Sequence, residues 1–198
     1  MPIETAASIR EFFQASVADA MKNQRVDASP EATAYIASVL EEFVRPESSA
    51  SLAETLDHSL TLLLDQALQS PPSDRFEKLR SLGDGTLYVS GFFGDHLQRR
   101  GVDDALVRTI GGFAYRSAGA MVRSETGMLA VVYRELAERF ARFVEVLAEV
   151  AESTAIAGAK TSSGMLKLYE RWLRTGSDRI GRALAAEGFM PLAKAGAA

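Results

Sequence analysis

The chain has no cysteine, one tryptophan, two histidines and six prolines in 198 residues. Without cysteine there is no disulfide framework, no thiolate metal site and no cysteine nucleophile, and a reducing cytoplasm is the expected compartment. Long apolar runs are also missing: the longest, such as residues 128–133, fall far short of the roughly 20 residues that a membrane span needs. The opening M-P-I-E-T-A-A-S-I-R-E-F-F has no basic stretch followed by an apolar one, so no signal peptide is expected. Motifs of chemistry are scarce as well. No G-x-S-x-G elbow, P-loop or G-x-G-x-x-G occurs; Ser90 sits in V-S-G-F-F with only one of the two glycines an elbow requires.

What is present is ordinary for a soluble globular chain, 47% hydrophobic and 24% charged. A chain of this length buries roughly 70% of its unfolded surface and needs no staples. Net charge is −4, which argues against a surface built for nucleic acid. The charge is uneven: from residue 160 onward seven basic residues face three acidic ones, leaving −8 for residues 1–159.

Helical spacing recurs throughout. Ile9, Phe12, Phe13, Val17, Ala20 and Met21 form one stripe, with Thr5 as its expected cap. Ser29-Pro30-Glu31 is a helix start, with an N-cap, a proline at N1 and an acid in the first turn. Ser51 and Glu54 make a capping box ahead of a leucine stripe that ends at Pro71-Pro72. Residues 74–99 then read as one long helix apolar over most of its circumference, hence central. The alternative there is a Gly83-Asp84-Gly85 turn followed by a strand over 87–90, which would have no partner strand. Glycine costs about 1 kcal/mol against alanine inside a helix, so Gly83, Gly85, Gly91 and Gly94 call for a compensating close neighbour. A helix over 103–122, also rich in small residues, is the natural one. Residues 125–151 form the cleanest amphipathic pattern, and a last helix is expected over 163–187.

The fold class is therefore all-α, a bundle-like domain of six to seven helices with a central glycine-containing helix and a basic amphipathic C-terminal helix. The expected divisions are a helical core over 1–152, a small and polar linker over 153–163, and the basic helix with its tail over 164–198.

Candidate site residues are few. His58 and His96 each follow an aspartate, but neither has a second histidine or a ligand-spaced carboxylate beside it, so no metal site is expected. His96 reads as a buried or half-buried packing residue. Arg116, among small and apolar residues, reads as partly enclosed and paired with Asp95, Asp84 or another acid; a ligand anchor is the sharper alternative. An apolar cavity between the helices over 74–99 and 103–122 would be lined by Tyr88, Phe92, Phe93, Phe113 and Tyr115, anchored by Arg116 or His96. In the C-terminal helix, Lys167, Arg171, Arg174 and Arg182 gather opposite an apolar arc holding Trp172, a pattern suited to a partner helix or, less well, to anionic lipid or nucleic acid. By elimination the chain reads as a non-enzymatic cytoplasmic interaction or assembly protein. Its expected partner is a second copy or another protein, with no cofactor; the alternative is a small-ligand or regulatory binding domain.

Overall fold

The structure, a computed structural model, describes residues 3–45, 59–122 and 127–189, with side chains from residue 9 onward. Among the described residues there are nine α-helices and no strand: α1 Ile3–Gln24, α2 Pro30–Val44, α3 Leu60–Gln69, α4 Pro72–Arg99, α5 Asp104–Met121, α6 Met128–Glu138, α7 Phe140–Gly158, α8 Ser162–Thr175 and α9 Asp178–Ala186. The class is all-α. No helix among these residues is long and apolar enough to cross a membrane. The chain divides into two compact units, Met1–Glu149 and Val150–Ala198.

Local chemistry explains the helix starts in the first unit. The Ser29 hydroxyl accepts from Ala32 N at 3.1 Å, and Pro30 supplies the preset φ of the first turn. Asp103 caps α5 by accepting from Ala105 N at 2.9 Å. Pro71-Pro72 ends α3 and seeds α4, since proline can open a helix but cannot continue one. Thr5, expected as a cap, lies inside α1. The Ser51–Glu54 capping box and His58 fall outside the described residues.

Helix α4 is continuous through residues 83–90, so the alternative of a turn and a strand does not hold. Residues 82–91 are all buried. Glycine makes this crowding feasible: a methyl on Gly83 would lie 2.7 Å from the Tyr115 ring, and one on Gly91 would overlap Leu147 Cβ. Gly94 has nothing within 4 Å of that position, so close packing does not account for it. Beside it, Phe93 leaves the helical region (φ −124°, ψ 22°) and kinks the last turns. Ala67, Leu79, Leu82, Ile110, Ala114 and Ala118 form the buried seam shared by α3, α4 and α5.

Two expected helices are each divided. The pattern over 125–151 breaks at Arg139 (φ −108°, ψ 17°), giving α6 and α7. Both halves bury the same kind of stripe, Val132, Tyr133 and Leu136 before the break and Phe140, Phe143 and Leu147 after it, so periodicity alone hides the corner. The last helix divides at Gly176, whose φ of +66° ends α8 in the left-handed conformation before Ser177 caps α9. Residues 153–158, read as linker, continue α7, because Ala155 and Ala157 favour helix and Ala155 and Ile156 pack on the second unit's core. That core is Ala159, Met165, Leu168, Ile180 and Leu184, a helical hairpin closed over its own apolar arc.

Candidate functional site

The most concentrated polar chemistry in the first unit surrounds one carboxylate. Asp84 lies on the buried face of α4 at 3% exposure. Three segments distant in sequence deliver hydroxyls to it or its neighbours: Tyr35 from α2, Tyr115 from α5 and Tyr133 from α6. The Tyr35 and Tyr115 hydroxyls both donate to Asp84 Oδ1 at 2.8 Å. Tyr133 places its hydroxyl 3.5 Å from that of Tyr35. Arg80, one helical turn before Asp84, donates to Oδ2 at 3.2 Å and also meets Glu77 at 3.0 Å and Glu42 at 3.8 Å. The rings pack edge to face or tilted, with Tyr35 5.5 Å from Tyr133 and Tyr115 6.0 Å from Tyr133 and from Phe140.

Burial pushes the Asp84 carboxyl up to about 6, against the pull of the Tyr115 and Tyr35 hydroxyls and of Arg80, while Glu42 adds to the rise. The Tyr35 and Tyr115 hydroxyls are raised chiefly by burial, and then by the negative charge of Asp84, so they remain protonated donors. Around Arg80, burial works to lower the guanidinium, but Asp84 and Glu77 outweigh it and hold the charge in place. Both oxygens of Asp84 are occupied by protein and almost none of the side chain meets solvent. Such a carboxylate joins helices; it has no open side on which to meet a substrate.

Above this cluster a groove of about 440 Å³ opens between α2 and α6, lined by Glu31, Ala34, Tyr35, Ser38, Met128, Leu129 and Val132. Tyr35 belongs to both, lining the groove while its hydroxyl is bonded to Asp84. One tie between the walls is Ser29, whose backbone N and hydroxyl both donate to the Glu135 carboxylate, at 3.0 and 2.6 Å.

The residues singled out from sequence are scattered by comparison. Tyr88 is buried in a stack between Phe43 and Phe92, with centroids 4.6 and 4.9 Å away, and Phe93 meets its edge. Tyr115 faces the Asp84 cluster instead, so Tyr88 and Phe92 do not share a cavity wall with it. Phe113 is 43% exposed. His96 and Arg116 are both exposed, not enclosed as expected. Arg116 follows the inward Tyr115 by one residue, a rotation of about 100° that turns it to the surface. One of the partners expected for it, Asp84, takes Arg80. Among the described residues no group of three or more His, Asp or Glu is arranged to hold a metal.

No family model, curated protein or solved structure matches this chain. Its functional reading rests on side-chain chemistry alone.

In the second unit Met165 and Leu168 of α8 are buried and Tyr169 and Trp172 are half-buried against the same core. Lys167, Arg174 and Arg182 are exposed. Arg171 leaves the expected basic arc: it is half-buried, with one guanidinium nitrogen 3.5 Å from the Ala151 carbonyl. Leu166 and Leu173, on the apolar side of α8, are 58% and 42% exposed.

Proposed function

We propose that the chain is a cytoplasmic helical interaction protein that associates with a second copy of itself through the outer face of α8. The observation that carries this reading is the pair Leu166 and Leu173, seven residues apart and exposed while the rest of the apolar arc is covered by the unit's own core. Single exposed leucines are common, but two on one heptad line, with the half-buried Tyr169 between them, make the a-d-a seam of a helix-pairing surface. Lys167 and Arg174 repeat the same seven-residue spacing alongside and set which charges can approach. The absence of cysteine supports a reducing compartment. So short a seam gives weak association that rises with concentration.

Sedimentation of the full chain from micromolar to millimolar concentration tests the reading. The wild type is expected to move from monomer to dimer, and the double variant Leu166→Glu, Leu173→Glu to remain monomeric with unchanged helicity. A wild-type chain that stays monomeric throughout that range would sink it.

A further inference from the structure

The groove between α2 and α6 has a composition that selects a ligand. Its volume lies within the roughly 300–1,000 Å³ of small-molecule sites. Among the described residues its walls are apolar apart from Ser38, the Tyr35 ring and one carboxylate, Glu31. Glu31 is exposed at the rim and forms no ion pair with any described residue. The opposite wall begins at the first turn of α6, where Gly127 offers no side-chain cap. The starts of α2 and α6 offer only partial positive charges of about one half each, and the one full charge that the described lining presents is the Glu31 carboxylate. We infer that this groove is a binding site for an organic cation with an apolar body.

The chemistry is that of a cation between a carboxylate and an aromatic ring, beside a polarisable thioether. Tyr35 provides the ring, Met128 the thioether, and Leu129 and Val132 the apolar contact. The site is set before the ligand arrives. The Tyr35 hydroxyl is fixed 2.8 Å from Asp84, and Ser29 on Glu135 ties the two walls, so little ordering remains to be done on binding. This groove lies within the first unit alone and is independent of self-association through α8.

Benzyltrimethylammonium, its neutral isostere neopentylbenzene and the anion 3-phenylpropionate serve as probes of the full chain, read by the Met128 methyl resonance. The cation is expected to shift that resonance saturably. The neutral and anionic probes should bind at least fivefold more weakly, since a rim carboxylate and one ring face are worth about that ratio. Glu31→Gln should weaken the cation about fivefold, and Ala34→Trp, which fills the groove from an exposed position, should abolish binding with helicity unchanged. Should Ala34→Trp fail to fold, Glu31→Lys on the rim replaces it and should likewise abolish cation binding. A Met128 resonance that does not move up to the solubility limit, equal affinity for the uncharged or anionic probe, or a cation affinity indifferent to Glu31 would each overturn the inference.

Discussion

Gly83 and Gly91 of the first unit lie inside a helix where a neighbour presses on the backbone; Gly176 of the second lies between helices at positive φ. Gly83 and Gly91 make room for Tyr115 and Leu147, and Gly176 lets the chain reverse into α9. The polar chemistry differs in the same sense. The first unit encloses Asp84 among three tyrosines and an arginine, whereas the second leaves Lys167, Arg174 and Arg182 in solvent and buries only apolar side chains in its core. One residue type and one helical pattern thus serve close approach in one place and a turn in another, and the neighbours decide which.

The sharpest way to break this contrast is Gly91→Ala. The added methyl overlaps Leu147 Cβ, which cannot move without its backbone, so a loss of about 3 kcal/mol is expected in chemical denaturation followed by circular dichroism. Gly94→Ala, three residues on and facing open space, should instead gain about 0.5–1 kcal/mol by the same measurement.

Acidity separates two carboxylates of comparable burial. Asp84 is raised above its ordinary 3.8 to about 6, so its contribution to stability is fully present below about 3.8 and is lost as pH rises through about 6. Glu41 is lowered by its hydrogen bond to Arg10 and by Arg45, so its contribution is present above 4.5 and is lost as pH falls through its folded value. Between pH 7 and 4 the wild type should therefore gain about 2 kcal/mol relative to Asp84→Asn, while its advantage over Glu41→Gln shrinks. Parallel pH series of denaturation midpoints check both signs. A flat difference for Asp84→Asn would mean the carboxyl titrates normally.

A smaller effect than that of Gly91→Ala is expected in the second unit. Gly176→Ala forces a side chain into the left-handed conformation and should cost about 1 kcal/mol. Trp172, the only tryptophan, packs on that unit's core and reports the loss by fluorescence without interference from the first unit.

The helices are legible in the sequence because amphipathic stripes survive whatever the tertiary arrangement. The caps at Ser29 and Asp103 are legible because capping is decided within four residues. The break at Arg139 carries no glycine or proline and leaves the stripe intact, so nothing local marks it. His96 and Arg116 look enclosed from the company of small residues, yet each is next to an inward-facing residue, Leu97 and Tyr115, and that adjacency is the available clue. The Asp84 cluster escapes sequence reasoning because its partners come from separate segments. The one signal is an acid in a run of small and apolar residues, G-D-G-T-L-Y-V-S-G, which reads equally as a turn or as a partner for Arg116.

The sequence separations within that cluster set an order of events on the ribosome. Tyr35 precedes Asp84 by 49 residues, and Tyr115 follows it by 31. At about 5–20 residues per second, the newly made carboxylate waits roughly 2–6 seconds before its second hydroxyl has even been synthesised. The joint of α2, α4 and α5 on this carboxylate therefore cannot close until α5 has been made, however early α2 and α4 form.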